Sequence, residues 1–332
     1  MKFALISSWH VHTKKFMKML SEKDVECSYI WDFDHERGQE AARLYGGVFE
    51  PDYHKILADQ EVEAVVIEAP TTMHKELIVL AAQAKKHIFS DKALALSTQE
   101  CLEIEQAVTE HGVKFMLSLE SLAINSYQYA LEWVKQGNIG QVTMASFRRS
   151  HGAVIRKNLP DYWFDPAQSG GGVTLDLGCH GFSILPLFCG EPKSVQCLMT
   201  EGFGSGVDER STTIIEFESG CIGTAMTSFV GPTLDNYLEV IGTQGSIQVI
   251  GNEHEQQSIF VQSNLDERYH QKTQIDATEI SKVNPFPIVE FVDLLASDQQ
   301  SLPQYDLVAA KRLTRLIECA YQSAETGQRV LY

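Results

Sequence analysis

Phe3-Ala4-Leu5-Ile6-Ser7-Ser8-Trp9-His10-Val11-His12 opens with four apolar residues, passes through a polar turn and enters an amphipathic stretch that runs to Leu20. Four consecutive apolar residues fit a strand covered on both faces, which is the situation of a strand in a parallel sheet. The same unit recurs outward from this stretch. Cys27 to Trp31 reads as a strand and His35 to Tyr45 as a polar helix. Ala64-Val65-Val66-Ile67 precedes a helix from about Met73 to Ala84, and His87-Ile88-Phe89 precedes a helix from Thr98 to His111. Val113 to Leu117 closes the series as a further strand. Short apolar strands alternating with helices imply right-handed βαβ crossovers and a doubly wound sheet.

The pattern changes after about residue 140. Val142 to Phe147, Ser194 to Met199, Ser211 to Phe217, Cys221 to Ser228, Tyr237 to Ile241 and Ser246 to Ile250 are strand-like. Glu218-Ser219-Gly220 and Thr243-Gln244-Gly245 have hairpin-turn composition. Consecutive strands predict a mostly antiparallel sheet, with a helix after Asp176 packed on one face. The polar segment from Asn252 to Lys282 reads as a loop region, and Leu307 to Ala324 as an amphipathic helix. The expected fold class is therefore α/β. A Rossmann-type, doubly wound parallel sheet over 1–120 precedes an α+β domain with a large, mostly antiparallel sheet over 121–332, its terminal helix able to pack back on the first domain. At 332 residues the chain exceeds what one core usually supports, which fits two domains.

Where a strand runs straight into a helix, a dinucleotide-binding domain places a GxGxxG turn. Ser7-Ser8-Trp9-His10-Val11-His12 contains no glycine. Serine can serve the tight turn and offer a hydroxyl to phosphate, whereas Trp9 fits only if its side chain points away. The next strand ends Ile30-Trp31-Asp32-Phe33-Asp34, with an acidic residue about 20 positions on, where a ribose 2′-hydroxyl would be held. Asp32 is the candidate for that contact and Asp34 for a helix cap. A carboxylate there favours NAD over NADP.

Three further segments carry chemistry. Glu68-Ala69-Pro70-Thr71-Thr72-Met73-His74 is a strand end, a proline turn and a helix start, placing polar groups at the carboxyl ends of the strands. His74 taken alone reads as readily as a helix-surface residue. His87-Ile88-Phe89-Ser90-Asp91-Lys92-Ala93 sets Lys92 just beyond a buried strand. Most specific is Trp163-Phe164-Asp165-Pro166, then Ser169-Gly170-Gly171-Gly172, then Asp176-Leu177-Gly178-Cys179-His180. Asp176 and His180 are four apart and would share a helix face. A carboxylate beside an imidazole orients it and tunes it for proton transfer near neutral pH. The glycines would let the backbone pass close to another surface or to a ligand.

In this order, across nearly the whole chain, these segments resemble the family named for glucose–fructose oxidoreductase, inositol dehydrogenase and MocA. Glu239 to Ser246 and Ala320 to Gly327 are similar to its hairpin and terminal-helix signatures. The resemblance implies a hydride transfer between a nicotinamide dinucleotide and a secondary alcohol of a sugar, inositol or related polyol. It carries over Lys92, Asp176 and His180 as the catalytic set, with His180 as general acid/base, Asp176 holding it and Lys92 on the reacting oxygen. Ser7, Ser8, Trp9, His10, His12, Asp32, Pro70, Thr71, His74, Asp91 and Lys92 are the implied cofactor contacts. Lys92, Trp163, Asp176 and His180 are the implied substrate contacts. The resemblance also implies a homodimer or homotetramer built on the second sheet. Five positions depart from the family pattern. Ser7, Trp9 and His12 stand in place of small loop residues, Ala93 replaces the proline usual behind a cis peptide, and Ser183 replaces an aspartate. Two other readings are an NAD-dependent glycosidase using transient oxidation and a non-catalytic dinucleotide or sugar sensor.

Composition bounds the partners. The net charge of −17 would repel nucleic acid and anionic membranes over most of the surface. Seven scattered cysteines without a CxxC pair fit reduced thiols and give no zinc signature, so no metal site is expected. No stretch approaches the roughly 20 apolar residues of a membrane span, and the opening residues do not read as a signal peptide. A cytoplasmic protein is the expectation.

Overall fold

Strand β1 (Lys2–Ile6) lies inside a six-stranded sheet. Its partners are β2 (Glu26–Trp31), β3 (Val48–Phe49), β4 (Ala64–Ile67), β5 (His87–Ser90) and β6 (Phe115–Leu117). The order is β3-β2-β1-β4-β5-β6, and every pairing is parallel. The crossovers are α1 (Thr13–Ser21), α2 (His35–Tyr45), α3 (Tyr53–Ala58), α4 (Thr71–Gln83) and α5 (Thr98–His111). Asp34 caps α2 by accepting from the backbone N–H groups of Glu36 and Arg37. Ser97 caps α5. The short β3 and α3 were not expected; two strand residues are too few to show a hydrophobic period.

The computed structural model describes residues 1–23, 25–231, 236–252, 257–280 and 284–332. These form two units, Met1–Leu119 with Pro285–Thr314, and Glu120–Asn284 with Arg315–Tyr332. The stretch from 285 to 314 thus joins the first unit rather than the second. An aromatic cluster explains why. Phe89 of β5 meets Phe16 of α1 edge-on at 5.5 Å between ring centroids and Phe291 at 5.6 Å. Lys114 donates from Nζ to the carbonyls of Leu294 and Ser297, tying residues of this stretch to the strand series.

The second unit contains α6 (Asn125–Lys135), β7 (Val142–Ser150), α7 (Ala153–Arg156), α8 (Pro166–Ser169), α9 (Val173–Asp176) and α10 (Gly178–Cys189). Seven strands follow: β8 (Pro192–Thr200), β9 (Arg210–Phe217), β10 (Ile222–Ser228), β11 (Tyr237–Gly242), β12 (Gly245–Ile250), β13 (Ser258–Ser263) and β14 (Thr273–Gln274). After α11 (Pro287–Leu295) and α12 (Leu307–Thr326), β15 (Val330–Leu331) completes a nine-stranded sheet. Its order is β14-β13-β12-β11-β7-β10-β9-β8-β15. All described pairings are antiparallel except β7 with β10. Ala145, Phe147 and Ala225 face α10, where Gly181 lets the helix sit so close that a Cβ would press on Phe147 and Ala225. The segment expected to be a loop over 252–282 instead holds β13 and β14. Ile259 and Val261 alternate inward there, a pattern too brief to stand out from polar flanks. Its residues 253–256 and 281–282 lie outside those described. Among the described residues, no single helix is long and apolar enough to cross a membrane.

Candidate active site

The register of the first sheet aligns Trp31, Ile6, Ile67 and Ser90 in one row. The residues that follow, Asp32, Ser7, Glu68 and Asp91, form the carboxyl edge, and all four are buried. This edge flanks the point between β1 and β4 where strand order reverses, the usual ligand crevice of a doubly wound sheet. Three buried carboxylates in a row need partners, and the loop supplies many of them.

Asp32 is saturated. Its Oδ2 accepts from Ser7 Oγ at 3.0 Å, the Ser8 N–H at 2.9 Å and Arg37 Nε at 2.9 Å. Its Oδ1 accepts from Arg37 Nη2 at 2.6 Å and the Asp34 N–H at 2.9 Å. A carboxylate offers about four lone-pair positions, so these five donors fill it. The ribose contact expected of Asp32 therefore has no acceptor left to use. Ser7 takes φ +69°, the left-handed backbone usually left to glycine, and its Oγ accepts from the Trp9 N–H at 3.2 Å. Trp9 is itself buried.

Asp91 ties the loop to β5. His10 Nδ1 and His12 Nδ1 each lie 2.9 Å from Asp91 Oδ2, while the Lys92 N–H donates to Oδ1 at 2.6 Å. Burial pushes the His10 imidazole down to about 4, against the opposing pull of Asp91. Burial would raise the Asp91 carboxyl, but His10 and His12 outweigh it and hold it well below the usual carboxylate range. Lys92 is buried. The Lys92–Ala93 peptide is cis although Ala93 is not proline, contrary to what the missing proline suggested. His74 Nδ1 lies 2.8 Å from the Ala93 carbonyl oxygen and Nε2 2.9 Å from that of Ala69. His74 is thus a buried staple between two turns rather than a surface residue. Burial lowers its pKa, against the pull of those carbonyls. Pro70 precedes α4 and Thr71 opens it, both beside this staple.

In the second unit, Asp176 ends α9 and His180 lies in the first turn of α10, across a 41° bend at Leu177. The two are therefore not on one continuous helix, as their spacing suggested. His180 Nδ1 lies 2.8 Å from Ser121 Oγ, and Arg149 Nη1 reaches the same hydroxyl at 3.5 Å. His180, Ser121 and Arg149 are all buried. Sequence alone points to neither Ser121 nor Arg149, because nothing local marks a serine 59 residues away as a histidine's partner. Trp163 is buried in a 3₁₀ turn, Asp161–Phe164. The glycine run meets protein rather than open space. Asp208 accepts from the N–H groups of Gly172 and Thr174 at 2.8 Å each, and the Tyr321 hydroxyl donates to Asp208 at 2.8 Å. A Cβ on Gly171 would strike Tyr321, and one on Gly172 would strike the Asp208 backbone.

Residues 6–119 match the oxidoreductase family with an NAD-binding Rossmann fold, and residues 127–248 match the GFO/IDH/MocA C-terminal domain. The chain belongs to the GFO/IDH/MocA oxidoreductase family. It is similar to the 2,7-anhydro-N-acetylneuraminate hydratase of Escherichia coli, at 28% identity over 242 residues. That match covers 71% of this chain and 63% of the relative. It is 25% identical over 334 residues to the D-xylose 1-dehydrogenase (NADP(+)) 2 of Haloferax volcanii, covering 99% of each. The solved levoglucosan dehydrogenase in complex with NADH and levoglucosan shares its fold, with TM-score 0.85 at 20% identity over 100% of this chain and 99% of that one. Membership in the GFO/IDH/MocA family thus brings an NAD-binding Rossmann domain and an oxidoreductase scaffold. Its members differ in substrate and in dinucleotide.

Proposed function

We propose that this enzyme transfers a hydride between a nicotinamide dinucleotide and a secondary alcohol of a sugar, inositol or related polyol. His180 carries this reading: a buried imidazole oriented by the Ser121 hydroxyl, which supports a role in exchanging the alcohol proton. Lys92 hydrogen-bonds the reacting oxygen and offsets its developing charge. Asp176 and Trp163 belong to the substrate contacts.

A dinucleotide fits the first unit on two observations. Ser7 keeps the left-handed backbone of the turn, and buried Trp9 leaves the loop's path intact. Bound nicotinamide would accept or supply the hydride. Because Arg37 fills and neutralises Asp32, neither the ribose diol of NAD nor the 2′-phosphate of NADP meets a free carboxylate there. Discrimination between the two is then weak, within about tenfold in Kd, or about 1.4 kcal/mol.

The test is a polyol and sugar screen followed by absorbance of the reduced cofactor. Lys92→Ala and His180→Ala should each lower turnover by about 10²–10⁴-fold. Unchanged rates in both would refute the assignment. Substrate consumed without net reduced cofactor would point to redox internal to turnover.

Oligomerisation belongs to the same proposal. The face of the second sheet away from α10 presents Met144, Leu198, Ile214, Ile222 and Ile241 to solvent. A second copy of the chain covers this apolar face. Light scattering on Ile214→Lys should show a smaller assembly than the unmodified protein.

A further inference from the structure

We propose that His10, His12 and Asp91 form a binding site for one divalent transition-metal ion of the zinc class, ligated by His10 Nδ1, His12 Nδ1 and Asp91 Oδ2. The site shares its residues with the loop implied to meet the dinucleotide, although the proposal does not rest on hydride transfer, and the sequence gives no metal signature. The three ligand atoms lie within 4.8 Å of one another, with both nitrogens 2.9 Å from the same carboxylate oxygen.

The contacts crowding His10 Nδ1 favour a cation here. The His12 N–H points to His10 Nδ1 at 3.3 Å, a contact that requires a lone pair on that nitrogen. The approach of Asp91 Oδ2 to the same nitrogen requires a proton between two acceptors. One imidazole nitrogen does not donate and accept at once. A metal ion resolves the conflict, because nitrogen and carboxylate oxygen then both act as lone-pair donors to it.

Donor chemistry narrows the ion. Two imidazoles and one carboxylate suit zinc and its neighbours, whereas calcium and magnesium prefer sites made wholly of oxygen. Ligands about 2.0–2.1 Å from a tetrahedral zinc stand about 3.4 Å apart, so the cluster must open by about 0.5 Å. The frame for this is in place. The Lys92 N–H holds Asp91 Oδ1 and presents Oδ2 to the ion, and both histidines follow β1 directly. His12 keeps 21% of its side chain exposed, against 4% for His10 and none for Asp91, so a fourth ligand enters on its side.

The experiment is titration of chelator-treated protein, free of dinucleotide, with cobalt(II), read by visible absorbance and equilibrium dialysis, then by displacement with zinc. One equivalent per chain with the intense bands of a four- or five-coordinate site is expected. His12→Gln, at the most exposed ligand, should weaken binding by more than about tenfold, since loss of even an outer partner costs that much. His10→Gln should do the same, while His54→Ala, on the exposed surface, should not. Circular dichroism confirms that the variants fold. Binding below one equivalent, or binding unmoved by His12→Gln and His10→Gln, overturns the proposal.

Discussion

The loop at Ser7–His12 has no glycine and the turn at Gly170–Gly172 has three, yet both hold backbone in a crowded place. They do it differently. In the loop, side chains carry the constraint: Ser7, His10 and His12 bond to carboxylates at the sheet edge, and Ser7 itself takes the left-handed conformation. In the turn, close approach carries much of it: Gly171 and Gly172 press directly against Tyr321 and Asp208, whose carboxylate also bonds the Gly172 and Thr174 N–H groups. A constraint made of ionisable side chains depends on charge and pH. One made of close backbone approach depends on volume.

Arg37→Ala should show the largest effect on stability. It leaves the buried Asp32 carboxylate without its bidentate partner, at a cost of about 3–5 kcal/mol in chemical unfolding. A loss near that of a surface variant would mean that Ser7, Ser8 and Asp34 suffice for Asp32.

Acidification comes next. In the metal-free protein the folded-state pKa of His10, about 4, lies below the unfolded value of about 6.5, so the unfolded chain binds the extra proton between them. Stability should fall by about 1.4 kcal/mol per pH unit over that window, about 3 kcal/mol in all. The depressed Asp91 extends the loss below its unfolded value of about 3.9. His10→Gln should flatten the upper part of this dependence. An unchanged slope in that variant would place the titrating group elsewhere.

On the glycine side, Gly172→Ala should cost about 2 kcal/mol by overpacking, read as a lower unfolding midpoint. Tyr321→Phe should cost about 1.5 kcal/mol through its lost bond to Asp208, read as a smaller fall in the unfolding midpoint. A larger loss from Tyr321→Phe than from Gly172→Ala would show that side-chain bonding rather than close approach holds this turn.

Much of the fold was legible because its signals are local. Apolar runs such as Ala64–Ile67, helix lengths and the Glu218–Gly220 turn all lie within a few residues of the structure they specify. The Asp34 cap was legible for the same reason. The site was legible in residue type but less so in partnership. Asp32 looked available because Arg37 becomes its partner only once Asp34 starts the helix and turns residue 37 back over the strand end. Ser121 reaches His180 only through the fold of the second unit, and the bend at Leu177 is invisible to a count of four residues. His74 read as a surface group because only the meeting of β4 and β5 brings the Ala69 and Ala93 carbonyls to its two nitrogens.

The tethering of the loop bears on its kinetics. Ser7 N–H bonds the Trp31 carbonyl of β2, His10 N–H bonds the Glu68 carbonyl after β4, and both histidines engage Asp91 after β5. Opening the loop therefore requires breaking contacts to three strands together. Its amides should exchange with solvent deuterium in step with the sheet rather than with the molecule's exposed turns. A molecule arriving at this edge meets a finished surface, and its association rate reflects fit to that surface rather than the time for a flap to close.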